Sequence, residues 1–436
     1  MVSHSRTTFS PDPSSSTSRT STKSSSSSIR AFANPDVAAL AHTLRKQFAQ
    51  NPTSGAAIGF LAVFLFFSVA SFETFLTNAS FSSILSSQAV PGIVAIGITL
   101  LMISGEFDLS VGSILGASSL VFLFAAVNDV HILLAAGLGL LSGCLLGLIN
   151  GLLLVSTRIP SFIVTLGTML VYRSFSLTSI SGGRIIRYTD YSRQDPTITL
   201  PAIILLLSVC AVVVLILWSS LPTLKRGPRA LPAFSIACVA TIASFAILFS
   251  TLDKYALSPL ADVDINVFGV MNGRIETGAR ANYRTSILWW LGLTALFAFI
   301  LLGTRFGNAV FATGGNAEAA RVQGIRIDRV RVTNFVLSGG LAALAGIIQV
   351  ARLKSVDPLR GEGLELEIIA SVVIGGTLLT GGFGSVVGSA IGTALTGMLR
   401  TGLVLISIPS NAFRGAIGAI MIAAVIINTY VRRDRA

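Results

Sequence analysis

Residues 304–331, TRFGNAVFATGGNAEAARVQGIRIDRVR, form a basic, glycine-punctuated loop between two apolar stretches near 286–303 and 331–351. Each of those stretches is of the length that crosses a bilayer. Inside the loop, Asn316-Ala-Glu-Ala-Ala-Arg-Val-Gln reads as a short helix. Asn316 suits the N-cap, where its side-chain oxygen takes an unpaired backbone N–H. Glu318 stands in the first turn, where the helix dipole favours an anion, and Gly324 supplies the left-handed residue that ends a helix. A capped helix outside the bilayer, with small alanines exposed, suits a docking element for a soluble protein; the spacing alone equally suits a plain amphipathic loop between two helices.

The flanking sequence predicts an all-α polytopic membrane protein. The chain has 436 residues, 52% of them hydrophobic and 11% charged. A spanning helix needs about 20 mainly apolar residues, and by that measure there are about twelve candidates. They fall near 55–74, 88–104, 109–127, 131–155, 161–180, 200–219, 231–251, 286–303, 331–351, 366–380, 385–406 and 413–431. The three cysteines, Cys144, Cys210 and Cys238, lie inside these spans without metal-ligand spacing. They read as small core residues, and neither a disulfide framework nor a metal site is expected.

Net charge is +12, and its placement orients the chain. Short loops rich in Lys and Arg mark the cytoplasmic side. With the N-terminus inside, Arg45 and Lys46, the 225–229 cluster, the 304–331 loop and Arg432, Arg433 and Arg435 all face the cytoplasm. An even number of spans with both termini cytoplasmic follows, and the charge needs no nucleic acid to explain it. Residues 1–50 are Ser/Thr-rich, basic and poor in apolar residues, so a disordered cytoplasmic tail is expected before a permease-like body over 51–436.

Two spans carry glycine every four residues: Gly139, Gly143, Gly147 and Gly151 in the fourth, Gly384, Gly388 and Gly392 in the eleventh. Such faces let helix backbones approach closely inside lipid. The segment Ser104-Gly-Glu-Phe-Asp-Leu-Ser-Val-Gly-Ser113 sets Glu106 and Asp108 between two apolar stretches with almost no room for a solvated loop. Ionisable groups at membrane depth usually face a cavity, a partner or a pathway. The other reading is a tight, wet turn in which Asp108 or Ser110 caps the third helix.

Five blocks, in order, carry a family resemblance. Gly314 to Ile325 resembles the cytoplasmic segment through which permeases of ribose/xylose-type ATP-binding-cassette (ABC) importers rest on their ATPase. Gly105 to Ser113 is similar to a signature of the same family, with Glu106 where relatives often have Gly or His. Asn150-Gly with Pro160 to Gly167, Ser338 to Gly346, and Gly363 to Gly388 resemble three further family blocks. The region 200–285, with two extra spans and a long outside loop, resembles the longer xylose-type members.

The resemblance implies a type II ABC-importer-like permease fold, multi-pass in the cell membrane. Two such subunits would sit side by side, with ATPase subunits beneath and an external solute-binding protein delivering a monosaccharide, most readily a pentose. Gly315, Asn316, Glu318, Ala319, Ala320, Arg321, Gly324 and Ile325 would then transmit force from the ATPase. Asp108, Ser110, Gly112, Asn150, Thr165 and Glu365 are the candidates for the translocation pathway.

The sequence holds no Gly-x-x-x-x-Gly-Lys-Ser/Thr phosphate cradle, no HExxH and only three histidines. No catalytic residue is expected, and no cofactor in this chain; ATP and Mg would be used by the partner. Nucleoside or branched-chain amino acid cargo stays open. So does an ion-driven secondary transporter using Glu106 and Asp108.

Overall fold

The computed structural model describes residues 52–180, 183–201, 262–275 and 281–409, with scattered positions up to 422. The expected spans at 200–219 and 231–251, nearly all of 413–431, the 1–50 tail, Cys210 and Cys238 lie outside the described residues.

Besides two short helices at Phe72–Phe75 and Val267–Asn272, the helices are α1 Pro52–Ala70, α2 Asn78–Ile103, α3 Val111–Val127, α4 Ile132–Thr157, α5 Ser161–Ser179 and α6 Thr285–Gly303. They continue with α7 Arg305–Gly315, α8 Ala317–Val322, α9 Ile327–Leu353, α10 Leu364–Ile374 and α11 Val386–Leu405. Four of them, α2, α4, α6 and α9, are long and apolar enough to cross a membrane; Gly55–Ala70 of α1 and Val111–Val127 are shorter apolar stretches.

Helix α2 is the hub. It is apolar on every side, and a helix of that kind belongs in an interior. Ile93, Ile96, Ile98, Leu100 and Met102 are all buried, packed with Ile114 and Leu115 of α3, Trp290 and Leu301 of α6, and Ala342, Ala345 and Ile348 of α9. Thr77 caps it by accepting from Ser80 N. Helices α4 and α5 lie outside the hub: Leu134, Leu141, Leu145, Phe162, Ile163 and Leu170 turn outward, as a lipid-facing surface requires.

Three expectations change. The span expected at 366–380 is the 11-residue α10, followed by an irregular stretch to Ser385. Eleven residues rise about 16 Å, half of a hydrocarbon core of about 30 Å. Gly375 and Gly376, the latter at φ +90°, end the helix where hydropathy alone runs on. Second, 305–315 is not a loop but α7, capped by Thr304, whose hydroxyl accepts from Gly307 N. Third, the described fold is not wholly α. Two small antiparallel sheets lie at the end of the bundle away from α8: β1 Ile186–Arg187 with β4 Ser355–Val356, and β2 Thr197–Pro201 with β3 Asp262–Asn266. Together they tie three stretches of chain, 186–201, 262–266 and 355–356, and Lys354 reinforces the seam by pairing with Asp195 at 2.5 Å.

Candidate functional site

The 316–324 segment folds as its residues dictate. Asn316 Oδ1 accepts from Ala319 N at 3.0 Å, and Gly324 takes φ +82° to end α8. A cap of this kind contributes about 1 kcal/mol. Glu318, Ala319, Arg321 and Val322 are exposed, Val322 at 86%. Ala320 differs from the expectation: it is buried, on the face turned towards the protein. Ile325 is half-buried against the main core and Gly315 is exposed. So α8 has two sides, one packed inward and one free.

Just before α8, the end of α7 rests on two turns. Gly382 N donates to Ile103 O at 2.8 Å, and a Cβ on Gly314 would fall on that same carbonyl and 2.6 Å from Gly382 N. The α7–α8 junction thus sits, backbone on backbone, against the end of α2 and the stretch after α10.

The segment between α2 and α3 is buried, so the wet-turn reading is set aside. Glu106 is 6% exposed and Asp108 is fully buried. Glu106 Oε1 lies 2.7 Å from Arg331 Nε, a charge contact too bent to be a hydrogen bond. Burial raises the Glu106 pKa above its ordinary value, while Arg331 and the Ser161 hydroxyl oppose the shift. Asp108 Oδ1 accepts from Ser110 N at 2.8 Å and from Ser110 Oγ at 2.6 Å; Ser338 Oγ reaches Oδ2 at 3.4 Å. Ser110 is the N-cap of α3 and makes no side-chain cap bond of its own.

From Asp108 the network runs inward. Asn150 Nδ2 donates to Ser110 Oγ at 2.7 Å, and Tyr172 Oη donates to Asn150 Oδ1 at 3.0 Å. Thr165 Oγ1 accepts from Leu109 N at 3.1 Å. Gly112 touches the Gly361 carbonyl, and a Cβ there would meet Glu365 Oε2 at 2.7 Å. Glu365 in turn lies 3.9 Å from Arg173 Nη2. The structure therefore brings Asp108, Ser110, Gly112, Asn150, Thr165 and Glu365 into one buried region from four separate stretches of chain. Their contacts run among themselves and to Tyr172, Arg173, Ser338 and the Gly361 carbonyl.

Several members were not singled out from the sequence. Tyr172 continues the buried hydroxyl stripe Ser161, Thr165, Thr168 and Ser176 along α5, a helical spacing that was a usable signal. Arg331, Asn334 and Ser338 form one face of α9, at spacings of three and four, and meet Glu106, Ser104 and Asp108 respectively. Beside them opens a cleft of about 440 Å³, lined among others by Glu106, Arg158, Ser161, Arg321, Asp328 and Arg331.

Comparison with known proteins gives this arrangement its family. The family described as "branched-chain amino acid transport system / permease component" matches residues 80–425. The chain belongs to this permease family. The "xylose transport system permease protein XylH" of Haemophilus influenzae is 30% identical over 389 residues, 85% of this chain and 94% of that protein. The XylH of Escherichia coli K12 is 31% identical over 381 residues, 86% and 90% of the two chains. The "ribose import permease protein RbsC" of Bacillus subtilis is 30% identical over 372 residues, 85% and 91%. No solved structure matches. The permease is thus a multi-pass membrane protein, similar to permease proteins of xylose transport and ribose import.

Proposed function

We propose that the permease is the membrane subunit of an ATP-driven importer for a pentose, xylose or ribose. The observation that carries this reading is the nearly full-length similarity to xylose and ribose permeases, with α8 displayed at one end of the bundle as a two-sided element. Its outer side, Glu318, Ala319, Arg321 and Val322, fits the groove of an ATPase subunit. Its inner side is seated on the membrane helices. ATP and Mg belong to that partner, and an external binding protein delivers the sugar.

In this reading the α8 end is cytoplasmic, both termini are inside, about twelve helices cross the bilayer, and a second copy completes the passage. The tail 1–50 is a cytoplasmic extension of the 51–436 permease body. The Asp108–Asn150–Thr165–Glu365 region is the part of the pathway that opens when the helices move. The family description supports branched-chain amino acids as the second cargo to test. An ion-driven mechanism has less support, because Glu106 is engaged by Arg331 and Asp108 by two serines.

The test is a cross-link from Ala319→Cys in native membranes, followed by mass spectrometry. An ATPase subunit carrying a phosphate-binding loop is the expected partner. A well-folded permease that captures no ATPase would remove the coupling assignment.

A further inference from the structure

The geometry points to a backbone joint, built from Gly105, Gly314, Gly381 and Gly382 and clamped by the Glu106–Arg331 pair, through which α7–α8 grips both irregular breaks between membrane helices at once. The inference rests on the importer reading and identifies which residues of this chain carry the motion.

Three stretches of backbone meet here with nothing between them. A Cβ on Gly381 would lie 2.9 Å from Gly105 Cα and 3.0 Å from Gly314 O. One on Gly382 would lie 2.7 Å from Gly315 Cα and 2.9 Å from Gly315 N. Gly105, Gly381 and Gly382 also take φ of +85°, +82° and +74°, which only glycine adopts readily. Side-chain contacts can absorb a displacement by changing rotamer, whereas packed backbone passes it on. The joint holds both breaks: 104–110, which carries Asp108, and 375–385, which leads into α11.

The charge pair is the second arm. Arg331 sits one turn into α9, immediately after the α8 segment, and reaches Glu106 two residues before Asp108. Asn334, one turn further, donates to Ser104 Oγ at 3.0 Å, so α9 holds both ends of the same turn. A shift of α8 therefore moves the Asp108 turn both directly, through glycine backbone, and through α9. Packing alone would need neither a half-buried ion pair nor glycines from three separate stretches of chain in one place.

The permease complex, purified from native membranes with its partners and placed in proteoliposomes, tests this with xylose and ribose as probes. Both ATP hydrolysis and sugar uptake are read. Glu106→Gln keeps the shape of the side chain and is expected to fold. Uptake should fall about tenfold while hydrolysis stays within about twofold. Arg331→Gln should do the same, and the exchanged pair Glu106→Arg with Arg331→Glu should recover most of the uptake if it elutes as folded protein. Gly382→Ala is the companion variant on the glycine arm. Unchanged uptake in both single charge variants, or equal loss of uptake and hydrolysis, overturns the joint. A wild-type complex whose hydrolysis ignores both sugars would instead remove the pentose reading, leaving the joint to be measured with the true cargo.

Discussion

Gly147→Val should leave little folded permease, while Gly137→Val on the same helix should behave as wild type. The two sites differ in what a side chain meets. At Gly137 a Cβ would meet no described atom of another element within 4 Å. At Gly147 a Cβ would fall on the Phe335 carbonyl of α9, 3.0 Å from the Phe335 carbonyl carbon, and 3.3 Å from Gly339 Cα. Gly143 and Gly339 repeat the arrangement one turn on, where each backbone abuts the other. Between helices in lipid there is no hydrophobic drive to hold a loosened pair together, so close backbone packing supplies much of the contact. Overpacking ordinarily costs about 1–3 kcal/mol, and the neighbour here is backbone that cannot swing aside, so the upper end applies. Size-exclusion profiles and melting temperatures in detergent decide it. Equal elution and melting for the two variants would show that α4 and α9 are not held this way.

That stripe was legible in the sequence because the contact is made by glycine itself, so spacing reports it directly. The α8 cap was legible for a similar reason: Asn316, Glu318 and Gly324 act within one short segment, and local chemistry writes itself into local sequence. The half-length α10 was not. Its apolar run continues through Ile374 and beyond Gly375–Gly376, and hydropathy does not register a change of backbone direction. Nor was α7, whose Gly307, Asn308 and Gly315 weaken any helical pattern; it is held by Thr304 and by packing of Val310 into the core. The Glu106–Arg331 pair joins residues far apart in the chain, and nothing near either one announces the other. The same holds for Ser338 and Asp108. Side chains that meet across the bundle are a product of the packing, whereas caps and glycine faces are part of what specifies it.

Asp108 separates those two kinds of information, and its substitutions should differ sharply. The hydrogen bonds around it run in one direction: Tyr172 Oη to Asn150, Asn150 Nδ2 to Ser110, Ser110 Oγ to Asp108. The carboxylate is the acceptor on which this chain ends, and it also takes Ser110 N and Ser338 Oγ. Asp108→Leu would strand those donors in a site closed to water. An orphaned buried donor costs about 1–3 kcal/mol, so the sum threatens the fold. Asp108→Asn is a different matter. Its amide oxygen can still accept both bonds from Ser110, and its NH₂ can donate to Ser338 once that hydroxyl turns. The expected result is a strongly lowered melting temperature and little uptake for the leucine variant, with near wild-type melting for asparagine. If leucine melts no lower than asparagine, the directional chain does not hold this region together. Uptake by the asparagine variant then bears on the pathway. Retained xylose uptake would mean that Asp108 organises the turn and needs no charge. Lost uptake in a fully folded Asp108→Asn permease would mean that the carboxylate itself faces the cargo once the helices have moved.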